Sequence, residues 1–212
     1  MVFAKRRDRE KEIRRNTILK VARKLFFQRG FKNVTVESIA KKAELSKGLI
    51  YLYFNSKEEL CTYILIDEVN KFQGISKQLF KNGKRASELL VDLSTIYVNF
   101  FLSDPELFRI LITFMLHTDD MNLSEGLYKN IIKATNQAIS IIEQILQYGV
   151  DKGEFPHSVN LRVNRNAIWG LFNGIIALHL FTGNELNRED LIRSTIRLGL
   201  LTYIKGLKVI DT

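Results

Sequence analysis

Residues 35–57, Thr-Val-Glu-Ser-Ile-Ala-Lys-Lys-Ala-Glu-Leu-Ser-Lys-Gly-Leu-Ile-Tyr-Leu-Tyr-Phe-Asn-Ser-Lys, constrain this chain more than any other stretch. They encode two short helices, a tight turn between them and the start of a third. Thr35 is an N-cap residue type, and Val36, Ile39, Ala40 and Ala43, at i, i+3, i+4 and i+7, give the following helix one apolar face. Glu44-Leu45 is the turn. Ser46 caps the next helix, expected over 46–54, with Ile50 and Phe54 inward and Tyr51 and Tyr53 outward. Its exposed start carries Lys47 and Gly48, a long cationic donor beside a residue with no side chain. A helix entering the major groove needs a donor that reaches base edges and a small residue where the backbone nears DNA. Lys47 and Gly48 are therefore the candidates for base reading.

Charge points the same way. Residues 1–57 hold 16 Lys or Arg against 5 Asp or Glu, whereas residues 58–212 hold 16 against 18, so the net +9 sits entirely at the helix-turn-helix end. A one-ended distribution fits a polyanion docking at that end. Residues 4–15 read as a flexible basic arm running into the first helix: either a solvated charged face, or an arm along phosphates or in the minor groove. The 46% hydrophobic content suffices for a full core. The single cysteine, Cys61, has no disulfide partner, and no N-terminal apolar run serves as a signal peptide, so a reducing cytoplasm is expected. The longest apolar stretch, 168–181, is broken by Gly170, Asn173, Gly174 and His179, which argues against a membrane span.

The run Thr35-x-x-x-Ile39-Ala40-x-x-Ala43-x-Leu45-Ser46-x-Gly48-x-x-Tyr51-x-Tyr53-Phe54-x-x-Lys57 resembles the DNA-binding signature of the tetracycline-repressor (TetR) family of bacterial regulators. The resemblance covers the first third of the chain. It implies phosphate contacts from Thr35, Ser46, Tyr51, Tyr53 and Lys57, carried over position by position; the alternative for the two tyrosines is ordinary packing of amphipathic rings. Two positions depart from the pattern. Glu44 stands where glycine is frequent, implying a turn without a left-handed residue or some strain. Leu49 stands where a hydroxyl residue often meets phosphate, and it is placed instead to meet a thymine methyl.

The remaining chain reads as helices with no strand, about nine in all, so the expected fold is all-α: a three-helix helix-turn-helix domain over 10–70 and a helical ligand-binding and dimerisation domain over 71–212. The first helix has a core stripe of Ile18, Val21, Ala22 and Leu25, widened by Phe26 and Phe27, and ends at Gly30. Ser56 and Glu59 form a capping box for a fourth helix from Lys57 to about Phe80, continuous from the DNA-binding end onward. Further helices are expected over 86–102, over 104–117 with Asp104-Pro105 at its start, over 122–151 capped by Asn122, over 160–181, and over 187–207 capped by Asn187 and Asp190.

Catalytic signals are sparse. His117, His157 and His179 share no ligand spacing, and His117 with Asp119 and Asp120 reads as a polar helix end in preference to a metal site. Cys61 reads as a small core residue, and there is no Gly-rich phosphate loop. Neither an enzyme nor a cofactor or metal is expected. Tyr63, Tyr97, Phe101, Phe114, His117, Tyr128, Trp169 and Asn173 supply aromatic surface with a few polar heads. Each by itself reads as core; the family resemblance implies an effector among these helices, and aromatic walls suit a largely apolar molecule. Gly170, Gly174 and Ala177 leave a smooth helix face for a second copy. The reading is a sequence-specific transcriptional regulator, a repressor released by a small effector, bound as a homodimer to a palindromic operator in double-stranded DNA. The resemblance implies that the effector acts by tilting the fourth helix. The competing readings are a non-specific nucleoid-type DNA binder without effector and a helical hydrophobic-ligand carrier.

Overall fold

The computed structural model of the chain describes residues 2–116, 123–181 and 187–208. Among these residues the regular structure is entirely helical: α1 (Val2–Arg29), α2 (Val36–Lys42), α3 (Lys47–Tyr51), α4 (Lys57–Ser76), α5 (Ala86–Ser103), α6 (Pro105–Leu116), α7 (Glu125–Asp151), α8 (Leu161–Phe181) and α9 (Arg188–Leu207), with 3₁₀ turns at Phe31–Asn33 and Leu79–Asn82. The chain divides into two compact units. One comprises Met1–Glu68 and Asp104–Lys133, the other Val69–Ser103 and Ala134–Thr212.

In the first unit, Ile18, Ala22, Leu25 and Phe26 of α1 are buried with Ile39, Ala40, Ile50, Phe54 and Leu60. Each of the buried Ile, Leu and Phe side chains contributes roughly 1.5–3 kcal/mol of burial. Phe27, expected in the core, is instead 52% exposed, because the neighbouring Phe26 already occupies the inward direction. The basic N-terminal residues are not an irregular arm: α1 is helical from Val2. Strong helix formers fill this stretch, and ion pairs Arg6–Glu10 at 3.2 Å and Arg15–Glu12 at 4.0 Å lie at helical spacing. A buried ionic group ties three segments together: the Arg23 guanidinium lies 3.1 Å from Glu68 and 3.9 Å from Asp104, and both carboxylates are buried. Asp104 also caps α6, accepting from the Leu107 N–H at 3.0 Å.

In the second unit, α9 packs on α5 and α8 through Ile192, Ile196, Leu200, Ile204 and Leu207. α7 ends in a Schellman motif at Gly153 (φ 69°), with Glu154 N–H to Gly149 O at 2.8 Å and Gly153 N–H to Val150 O at 3.0 Å. Gly149 is required there: a Cβ would lie 2.2 Å from the Phe155 ring. Glu154 then joins the start of α5 to the end of α9, accepting from the Ser87 N–H and hydroxyl and from Lys208 Nζ at 3.1 Å. Burial pushes its carboxyl up, but the Ser87 and Lys208 hydrogen bonds outweigh that and leave it below the ordinary glutamate value.

Several helix ends differ from expectation for local reasons. α4 stops at Ser76 and gives way to the 3₁₀ turn, with Gly83 left-handed after it. The α4 cap is shared: Ser56 Oγ accepts from Glu59 N–H, but the Glu59 carboxylate reaches Asn55 N–H and Nδ2 at 2.6 and 2.8 Å. Asn122 lies outside the described residues, and Ser124 Oγ accepts from the Leu127 N–H at 3.4 Å. Asn187 is left-handed (φ 67°) and makes no side-chain cap bond.

Candidate nucleic-acid interface and effector site

The helix pair at the heart of the first unit is held by local hydrogen bonds. Thr35 and Ser38 form a reciprocal capping box, each hydroxyl accepting from the other's backbone N–H at 3.1 Å. α2 ends in a Schellman motif: Leu45 N–H bonds Ala40 O at 2.9 Å and Glu44 N–H bonds Lys41 O at 3.3 Å. Its left-handed residue is Glu44 (φ 56°), which costs roughly 1 kcal/mol relative to a residue without Cβ. The strained alternative for this turn is the one adopted. Ser46 Oγ accepts from Leu49 N–H at 3.2 Å, which leaves the hydroxyl proton for an external acceptor. α3 is short, closing at Tyr51, although Phe54 N–H still bonds Ile50 O at 3.0 Å and anchors the segment.

This frame leaves Thr35, Ser46, Lys47, Gly48 and Tyr51 exposed, and Leu49, Tyr53 and Lys57 half-buried. A Cβ at Gly48 would meet nothing within 4 Å, and its φ is not positive, so neither packing nor backbone within the chain requires glycine there. Lys47 pairs with Glu37 of α2 across the turn and lies 5.8 Å from the Tyr51 ring. The shared hydrogen bond lowers the Glu37 carboxyl and raises the Lys47 ammonium from their ordinary values. Lys57 is also engaged: Nζ donates to Phe31 O at 3.0 Å and lies 4.2 Å from the Phe31 ring centre. Glu37 and the Phe31 carbonyl were missed from sequence, because both contacts cross a turn or a whole helix and leave no periodic trace. The same unit has a cleft of about 290 Å³ bordered by Phe31, Cys61, Glu106, Arg109, Ile110 and Thr113. Burial pushes the Cys61 thiol up to about 12, which keeps it protonated at neutral pH.

Of the residues proposed for an effector, Tyr97, Trp169 and Asn173 come together in the second unit. Tyr97 donates to Asn173 Oδ1 at 2.8 Å, and Asn173 Nδ2 donates to Trp169 O at 2.8 Å. The Tyr97 ring lies 5.1 Å from Trp169, 5.7 Å from Phe172 and 5.6 Å from Phe72. Burial raises the Tyr97 hydroxyl well above its usual range. Beside this cluster is a void of only about 10 Å³, also lined by Leu93 and Ile142. Phe101 is buried in the same unit. Tyr63 belongs to the first unit, 5.8 Å from the Phe54 ring and under the Arg15 guanidinium at 4.5 Å; Phe114 and Tyr128 are also in that unit, and His117 lies outside the described residues. Gly170 and Gly174 lie on an exposed face of α8, with Ala177 half-buried beside it. Among the described residues no group of three or more His, Cys, Asp or Glu is placed to hold a metal, and no helix is long and apolar enough to cross a membrane.

Comparison with known proteins bears on the same residues. Residues 18–64, which contain the helix pair, match the family described as bacterial regulatory proteins, tetR family. The chain is 28% identical over 149 residues to the HTH-type transcriptional repressor NicS of Pseudomonas putida, spanning 68% of this chain and 67% of that protein. It is 23% identical over 181 residues to the fatty acid metabolism regulator protein of Bacillus subtilis, spanning 85% and 91%. The fold is shared with the fatty acid degradation regulator FadR of Bacillus halodurans, with a TM-score of 0.70 at 22% identity over 88% of this chain and 94% of that one. It is also shared with FadR of Bacillus subtilis in complex with stearoyl-CoA, with a TM-score of 0.68 at 21% identity over 86% and 95%. The doubly capped helix pair at the basic end of this all-α chain lies wholly within residues 18–64, the segment that matches the DNA-binding region of the tetR family of bacterial regulatory proteins.

Proposed function

We propose that the protein is a repressor released from a palindromic operator by a largely apolar, acyl-type effector bound in its second unit, with residues 10–70 serving DNA and residues 71–212 serving effector and dimer. The observation that carries the effector reading is the part-buried Tyr97–Asn173 hydrogen bond walled by Phe72, Trp169 and Phe172. Aromatic walls around one polar pair suit an acyl chain with a polar head, and stearoyl-CoA accompanies the similar B. subtilis regulator. The adjoining void of about 10 Å³ is far below the roughly 300 Å³ of a ligand pocket, so binding must part the helices. That rearrangement is the differential interaction allostery requires. α4 carries it, being one uninterrupted helix from Lys57 to Ser76 that begins beside the DNA-reading segment. A coupling of about 1–3 kcal/mol is enough to release DNA.

In this reading two copies associate through α8 and α9 in the cytoplasm. On α8 the positions 163, 167, 170, 174 and 178 form one exposed face with Val163 and Leu178, and α9 exposes Leu191, Leu198 and Leu201. A two-fold pair presents its recognition segments to half-sites about 34 Å apart. The test selects operator fragments from genomic DNA, then titrates stearoyl-CoA, shorter acyl-CoAs and free CoA. Long-chain acyl-CoA at about 100 times its dissociation constant should stabilise the fold by roughly 2.7 kcal/mol and weaken operator binding. Acyl-CoAs that bind without changing DNA affinity would sink the effector half; equal retention of all DNA would favour the nucleoid-type reading.

A further inference from the structure

The family signature begins at residue 18, yet α1 begins at Val2, so its first four turns lie upstream of anything the signature explains. Residues 6–14 are exposed on every side, in contrast to the buried stripe Ile18, Ala22 and Leu25 that follows. Continuing that stripe toward the N-terminus in the same four-three steps reaches Arg14, Lys11 and Arg7. The face α1 turns into the core thus becomes a row of three cations where the core ends. Glu10 and Glu12 are taken up by Arg6 and Arg15, whereas among the described residues Arg7, Lys11 and Arg14 meet no carboxylate. The extension is rooted at the reading segment: the Arg15 guanidinium lies 5.4 Å from the ring of Phe54, three residues past the end of α3, and 4.5 Å from Tyr63.

We propose that the N-terminal extension of α1 is a preformed DNA-backbone clamp, in which Arg7, Lys11 and Arg14 lie against phosphates flanking the site read by α3. The three cations span roughly 10 Å of helix, and a DNA strand offers one phosphate per about 3.4 Å of axis, so the row matches about three successive phosphates. Its rigidity follows from its attachment. An isolated helix this short is marginal in water, but this one propagates from the packed half of α1, where the nucleation cost is already met. It therefore docks without the ordering entropy, about 1–2 kcal/mol per residue, that a disordered arm loses on binding. The occupant is duplex DNA by charge complementarity and by continuity with the reading segment. The inference rests on the DNA-binding reading and enlarges its footprint.

Phosphate contacts are indifferent to sequence, so a random-sequence duplex of about 30 base pairs is a sufficient probe. Full-length wild type is compared with Arg7→Gln/Lys11→Gln/Arg14→Gln, and with Arg9→Gln/Lys20→Gln, which removes two exposed cations from the opposite face. The slope of log affinity against log salt should become shallower by roughly 2.7 per bound protomer in the triple variant, three contacts at about 0.9 each, and change little in the double. Melting temperatures of all three should coincide. An unchanged slope in the triple variant, or an equal loss per charge in the double, overturns the clamp while leaving the helix-turn-helix reading standing. A wild type without salt-dependent duplex binding removes both.

Discussion

Lys47 is paired with the Glu37 carboxylate in the free protein, and in the proposed reading a base edge in the groove would compete for it. The pair is exposed, so water weakens it and DNA can displace it. Glu37→Gln should therefore raise operator affinity, having removed both the competing acceptor and a negative charge facing phosphates. Lys47→Ala should relax preference at one position per half-site, with a loss of about 1–3 kcal/mol for the right base. Binding measured on an operator and on its single-base variants tests both; a uniform loss on every sequence for Lys47→Ala would reassign it to phosphate. Lys57 should behave differently, because it holds the Phe31 carbonyl. Lys57→Ala should weaken all duplexes alike and also lower the melting temperature, the lost hydrogen bond being worth about 1 kcal/mol.

At the scale of the element, α3 is a five-residue helix whose stability comes from Ser46 and from Ile50 and Phe54 beneath it, not from its own length. Gly48 weakens it without any internal need. Gly48→Ala should leave the melting temperature unchanged or raise it, since alanine is favoured by up to about 1 kcal/mol in a helix, while lowering operator affinity at least tenfold. A destabilised variant, or one with undiminished DNA binding, would contradict the view that DNA's approach explains the glycine. α5 makes the opposite case, its start depending on a distant carboxylate. Glu154 has a lowered pKa, so its contribution is present above the ordinary value of 4.5 and is lost as pH falls through the lowered one. Glu154→Gln should be less stable than wild type at about pH 7, with the gap closing as pH falls through the lowered pKa. A gap that persists in acid would show that shape, not charge, holds the joint.

For the whole molecule, the exposed apolar side chains that bear on association are those of α8 and α9. Val163, Leu178 and Leu198 are 60%, 58% and 69% exposed in a single copy, apolar surface that a second copy would cover in the proposed dimer. A Cβ at Gly174 would meet nothing within 4 Å, so Gly174→Leu adds no strain inside the chain. Its effect should fall on association alone: sedimentation should show more monomer, consistent with overpacking of about 1–3 kcal/mol across the interface, at an unaltered single-chain fold. A monomeric wild type at micromolar concentration, or an unchanged dimer in the variant, would move the interface elsewhere.

What could be read from sequence is what short-range chemistry decides. The caps at Thr35 and Ser46, the inward Ile39, Ile50 and Phe54, the Pro105 start of α6 and the basic end all depend on residues within a turn or two of one another. Their periodicity and cap types record those interactions directly. The path of the N-terminal basic run was misjudged because a charged segment with no apolar stripe looks the same solvated or helical until it is joined to a packed helix. Glu37 with Lys47, ten residues apart, Tyr97 with Asn173, seventy-six apart, and Glu154 with Ser87, sixty-seven apart, depend on chain reversals that no local pattern specifies. The left-handed Glu44 was left open for a related reason. A residue with a Cβ reaches that conformation only when the Schellman bonds and the packing of α2 on α3 outweigh its intrinsic cost, and that sum exists only in the folded chain.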